Sequence, residues 1–186
     1  MDGTLTIAMH DFEDIRQTLG ITSGTPILEA IDKMPEQQAK QMMQQLFDIE
    51  MEIAAKAVQQ PGAYELLEQL TSRGCTLGIL TRNGYEIAIE TLKAAGLLNF
   101  FKQDTILGRE SCAPKPDPAG IYQHLSAWQS APSATVMVGD YKFDLESGYR
   151  AGVHTVHLDV DNGESWPEMT TVRVRSLTEL KELVCP

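Results

Sequence analysis

From residue 61 onward the chain alternates short apolar runs with helical stretches of about ten residues. The runs fall at 75–80, 105–107, 134–138, 154–158 and 172–174; residues 64–71 before them, 85–95, 118–128 and 145–151 between them and 177–184 after them have helical texture. Parallel strands cannot be joined by a tight hairpin and need a crossover, usually a helix. This alternation therefore predicts an α/β core, a parallel Rossmann-like sheet with helices on both faces. Such a sheet gathers ligands outside the carboxyl ends of its strands.

The first sixty residues read differently. Residues 1–6 (MDGTLT) precede a segment with no convincing strand. Phe12, Ile15 and Leu19 recur at helical spacing, with Gly20 placed for a left-handed cap. Thr25 and Pro26 read as an N-cap and first-turn proline for a second helix that carries Ile27, Leu28 and Ile31 and stops before Pro35. Residues 35–59 predict the longest helix, with Ala39, Met42, Met43, Leu46, Ile49, Ile53 and Ala57 on one face. The methionine pair reads as adaptable core filling, with a ligand cavity as the other role. The expected division is a core of residues 1–6 and 61–186 and an all-helical insert at 7–60.

Composition narrows the function classes. Of 186 residues, 42% are hydrophobic and 22% charged, an ordinary globular balance, and at this length roughly 70% of the unfolded surface can be buried. Fifteen Lys and Arg against 26 Asp and Glu give a net charge of −11, which repels a phosphate backbone and argues against nucleic acid as a partner. No apolar run reaches the roughly 18 residues of a membrane span. Cys75, Cys112 and Cys185 are odd in number and widely spaced, which predicts reduced thiols and a cytoplasmic protein.

Chemically suggestive residues cluster at the expected strand ends. Asp140 and Asp144 lie four apart at a strand-to-helix junction, and hard oxygen donors of this kind suit Mg²⁺. Taken alone, Asp140 could equally shape a turn and Asp144 cap the next helix. Thr81, Arg82 and Asn83 follow the 75–80 run; a hydroxyl with backbone N–H groups at a helix start can hold an anion, and Thr81 could also be a simple N-cap. Lys115 stands between Pro114 and Pro116, a surface charge by default. His154 and His157 point to opposite faces of a strand and cannot share a metal.

In this order, these residues resemble the four motifs of the haloacid dehalogenase (HAD) superfamily, hydrolases that form an aspartyl-phosphate. Asp2-Gly3-Thr4 matches the end of Asp-x-Asp-Gly-Thr; Thr81 ends an apolar strand; Lys115 is the third element; Gly139-Asp140 to Asp144 is Gly-Asp-x₃-Asp. A helical insert after the first motif is similar to the small cap of the phosphoglycolate-phosphatase-like branch. The resemblance implies that Asp2 acts as general acid/base and, through its backbone carbonyl, as a Mg²⁺ ligand beside Asp140. It implies that Thr81 and the amides of Arg82 and Asn83 hold phosphate, that Lys115 neutralises charge, and that Asp144 holds a metal-bound water or Lys115. The implied activity is Mg²⁺-dependent hydrolysis of a small phosphorylated metabolite. A phosphomutase and a non-catalytic regulator are the alternatives.

One member of the pattern is missing. The family's nucleophilic aspartate would stand directly before Met1, at the end of a central strand. The expectation is a complete polypeptide that carries an apolar strand ending in Asp at that point. A shortened chain with a rearranged sheet edge and a degenerate relative are the competing explanations.

Overall fold

The computed structural model describes residues 1–184; Cys185, read above as a free thiol, lies outside them. Helices α1 (Phe12–Leu19), α2 (Ile27–Asp32) and α3 (Glu36–Ala54) come first. Asp11 caps α1 by accepting the N–H groups of Glu13 and Asp14 at 3.0 Å each, and Gly20 closes it at φ 66°. The expected Thr25 cap of α2 does not form: Pro26 occupies the cap position and offers no side-chain acceptor. Helix α3 ends at Ala54, short of residue 59, because the following backbone is taken by another pairing. Ile7 N–H bonds to Val58 O at 2.9 Å, Gln60 N–H bonds to Leu5 O at 2.8 Å, and Thr6 and Gln59 form an antiparallel bridge. Two antiparallel segments thus join the helical insert to the core. Ile15, Leu19, Ile21, Ile31 and Leu46 form a buried cluster confined to the insert, with Met42 and Met43 packed against it.

The remainder runs α4 (Ala63–Ser72), β1 (Ile79–Leu80), α5 (Tyr85–Ala94), β2 (Ile106–Leu107), α6 (Ala119–Trp128), β3 (Val136–Gly139), α7 (Lys142–Ala151), β4 (His154–Leu158), β5 (Val172–Val174) and α8 (Leu177–Val184). Every strand pair is parallel. Leu92, Leu97, Leu158, Leu177 and Val174 are essentially sealed in the main core, each burial contributing about 1.5–3 kcal/mol. No described helix is long and apolar enough to cross a membrane.

Three departures from the sequence reading bear on the site. The strand expected at 75–80 is reduced to Ile79–Leu80, and that expected from 134 starts at Val136 after a 3₁₀ turn at Pro132–Ala134. Helix α7 begins at Lys142 rather than Leu145, because the Asp144 carboxylate accepts the Tyr141 N–H at 3.3 Å and completes the first turn. The sheet is also divided, with β1-β2 and β3-β4-β5 as separate ladders. Between β1 and β3 lies a cavity of about 490 Å³, walled by Leu77, Ile79, Met137 and Val138 and bordered by Met1 and Trp128. The Trp128 indole N–H is buried without a partner. Backbone that would pair across a continuous sheet therefore faces this space, which accounts for the shortened strands.

Candidate active site

Four short segments converge at the carboxyl ends of β1 and β3. The first is a tight turn in which Met1 O accepts N–H groups from Thr4, Leu5 and Thr6 at 3.2, 2.8 and 3.2 Å. Gly3 makes the turn possible at φ 75°, and a Cβ there would fall inside the Asp140 carboxylate, so only glycine lets the Asp2–Gly3 peptide lie against that group. Thr4 Oγ1 donates to Asp140 Oδ1 at 2.6 Å and ties the turn to the end of β3. Asp2 accepts from Thr6 Oγ1 at 3.2 Å through one oxygen and from Asn83 Nδ2 at 2.8 Å through the other. Asp2 is thus oriented from two elements.

Lys115 is 8% exposed and donates to Leu80 O at 2.9 Å and to Asp144. Of the two partners considered for Asp144, the described one is Lys115, and both side chains are buried. Gly139 allows this approach, since a Cβ there would collide with the Asp144 side chain. Lys115 therefore bridges the end of β1 and the start of α7 and leaves one of its three N–H donors uncommitted.

The 81–83 loop is arranged otherwise than anticipated. It does not open a helix: α5 starts at Tyr85, with Gly84 at the cap position. The Thr81 N–H is spent on Leu107 O at 3.0 Å, and the Asn83 N–H on Thr81 Oγ1 at 3.1 Å. Because Thr81 Oγ1 accepts that bond, its own O–H is available for an anion. Asn83 serves Asp2 through its side-chain amide, and the Arg82 guanidinium sits 5.4 Å above the Phe143 ring and 3.5 Å from Glu29 of α2.

The Asp140 carboxyl is pushed above its usual range, first by burial; the Thr4 hydroxyl acts the other way, and Asp144 adds to the rise. Among the described residues no group of three His, Cys, Asp or Glu forms a ready-made metal cage. The donor set still fits Mg²⁺, which takes one or two carboxylates and retains waters. The Asp140 carboxylate and the Asp2 carbonyl are hard-oxygen donors on segments that meet where Gly3 lies against Asp140, and a cation there would relieve the buried carboxylate.

A model of the haloacid dehalogenase-like hydrolases matches residues 7–158. The chain belongs to that family. A hydrolase of Saccharomyces cerevisiae is 31% identical over 99% of this chain and 88% of its own length. A pyrophosphatase of Listeria monocytogenes is 36% identical over 48% of this chain, a match that spans 41% of that protein. Among solved structures, one described as a predicted phosphoglycolate phosphatase from Haemophilus somnus superposes with TM-score 0.80 at 19% identity, over 99% of this chain and 95% of that one. The likeness shows a shared HAD-like, Rossmann-type fold.

Within this HAD-like frame, sequence reasoning missed the residues that orient the others. Thr4 was present in the first motif as a turn residue, yet it is the direct partner of Asp140. Thr6 and the Asn83 side chain hold Asp2, and no local pattern marks either for that task. Arg109, from the loop after β2, reaches Glu50 of α3 at 2.5 Å and links core to insert through two largely buried charges.

Proposed function

We propose that this HAD-like hydrolase is a Mg²⁺-dependent phosphatase that cleaves a small phosphomonoester through an aspartyl-phosphate. The observation that carries the reading is the convergence of Asp2, Thr81, Lys115 and Asp140, each from a different segment, at the carboxyl ends of β1 and β3. A carboxylate oxygen attacks phosphorus and the bond to the ester oxygen breaks, while protonated Asp2 gives its proton to the leaving alkoxide. Asp2, now ionised, takes a proton from water as the water oxygen attacks the same phosphorus; the bond from phosphorus to the attacking carboxylate oxygen breaks, the carboxylate is regenerated and phosphate leaves. Thr6 and Asn83 keep the Asp2 carboxyl aimed through both steps. The Thr81 O–H and the third N–H of Lys115 meet the phosphoryl oxygens, whose charge they stabilise in a preorganised site. Asp140 and the Asp2 carbonyl would hold Mg²⁺, which supplies charge neutralisation at the phosphoryl group.

The attacking carboxylate is the remaining requirement. The apolar cavity between the edges of β1 and β3 suits one further parallel strand, and its Met1 end opens at the site. We assign the nucleophile to an aspartate delivered there by such a strand. Its pairing would occupy the backbone groups that now face the cavity.

The local identity with the Listeria pyrophosphatase favours a second reading, inorganic pyrophosphate as substrate. One phosphate-release panel tests both, run on protein of confirmed intact mass with Mg²⁺ present. Release from metabolite monoesters supports the first reading and selective release from pyrophosphate the second. A folded, intact-mass-verified protein carrying the upstream strand and silent toward the whole panel would refute both.

A further inference from the structure

The rim of the site is aromatic, and the phosphoryl chemistry does not use it. Arg82 follows Thr81 and Tyr141 follows Asp140, so one of these two side chains stands at each site-bearing strand end. Phe143 connects them: its ring lies 5.4 Å from the Arg82 guanidinium carbon and 5.2 Å from the Tyr141 ring, the rings crossed at 88°. Trp166, from the segment between β4 and β5, extends the row at 5.8 Å from Tyr141 and rests 5.3 Å from His157. Tyr141, Phe143 and Trp166 all lie outside the buried core clusters. Tyr141 is 53% exposed, so much of its ring is open.

Position and chemistry point the same way. On the phosphatase reading, a phosphoryl group held by Thr81 and Lys115 would direct its ester oxygen to Asp2, and whatever lies beyond that oxygen would emerge between the ends of β1 and β3. There it meets flat π faces and a planar cation whose ion pair with Glu29 is 3.5 Å long and solvent-accessible, hence exchangeable. Stacking surfaces of Tyr, Trp and Arg reward planar, electron-rich partners and gain little from a flexible alkyl chain. We propose that Arg82, Tyr141, Phe143 and Trp166 form the leaving-group subsite, and that the substrate is a phosphomonoester whose leaving group carries an aromatic or heteroaromatic ring. This assignment rests on the phosphatase reading above.

Non-hydrolysable phosphonates separate the two. Calorimetric titration with Mg²⁺ compares inorganic phosphate, butylphosphonate and benzylphosphonate. Benzylphosphonate should bind about tenfold more tightly than butylphosphonate, the gain expected of one aromatic contact. Tyr141→Ala should bring the two affinities to within about twofold, and Tyr141→Phe should retain the preference. Benzylphosphonate should also shift tryptophan emission, and Trp166→Phe should abolish that shift. Binding of phosphate and both phosphonates with no aromatic preference, or a preference unchanged by Tyr141→Ala, would overturn the subsite and leave the phosphatase reading standing. Absence of phosphate binding altogether would remove both.

Discussion

Lys115 and Asp144 illustrate why a buried ion pair in this molecule serves the site before it serves stability. Two charges taken out of water lose hydration that their mutual attraction only partly restores, so the pair's net contribution is small, whereas removing one partner strands the other. Lys115→Met should therefore cost about 3–5 kcal/mol in urea unfolding, and Lys115→Met combined with Asp144→Leu should recover much of it. A near-additive double mutant would show that the two groups act independently. Asp2 predicts a different signature, since Asp2→Asn keeps the backbone carbonyl and removes the transferable proton. Turnover of an alkyl phosphate should fall by about 10²–10⁴. The first step with p-nitrophenyl phosphate, whose leaving group needs little protonation, should fall less. Acid-quench mass spectrometry during single turnover should trap phosphorylated protein; equal losses with no trapped intermediate would place the acid/base elsewhere. Asp2, Thr81, Lys115, Asp140 and Asp144 are weak signals one by one and were singled out by the order in which they resemble the family's motifs; the structure brings them to one end of the sheet. The roles of Thr4, Gly3 and Thr6 were not legible: the contacts of Thr4 and Gly3 with Asp140 cross from one segment to another, and Thr6 reaches Asp2 within the turn, where no motif marks it.

Helix α6 and strand β1 are joined by a buried imidazole. His124 Nε2 lies 3.2 Å from Ile79 O, and the ring stacks on Trp128 at 4.6 Å. Gly78 admits this contact, because a Cβ there would collide with both rings. Burial pushes the His124 pKa below the ordinary histidine range, with the Ile79 hydrogen bond opposing. The unfolded chain therefore binds this proton at higher pH than the folded one, so stability is full above about pH 6.5 and is lost as pH falls from there through the folded-state value. Thermal melts between pH 8 and 5 should show this loss, and His124→Gln should flatten it. An unchanged slope in the mutant would assign the proton to another group. The existence and type of the eight α-helices and five strands among the described residues could be read from periodicity. Their ends could not, where tertiary pairing decided: α3 stops because residues 58–60 pair with the 5–7 segment, and β1 is short because one of its edges faces the cavity.

The described residues form three buried clusters, one within the helical insert and two in the α/β core, with Arg109–Glu50 and Arg82–Glu29 crossing between insert and core. The α/β class followed from the strand–helix rhythm alone. The division of the sheet did not, since an alternating pattern tells how many strands there are and not which edges meet. On the proposed phosphatase reading the charge balance is local: a chain of net charge −11 would meet a phosphate dianion with the lysine Lys115, the Thr81 hydroxyl and a cation held by hard oxygens. Asp140 is the keystone, buried, tied to Thr4 and pressed against the Asp2–Gly3 peptide. Calorimetric titration of Mg²⁺ into the wild-type protein and into Asp140→Asn, with circular dichroism to verify the fold, tests that role. A saturable Mg²⁺ site in the wild type, weakened at least tenfold in a folded Asp140→Asn protein, is the predicted result. Equal Mg²⁺ affinity in the two proteins would contradict it.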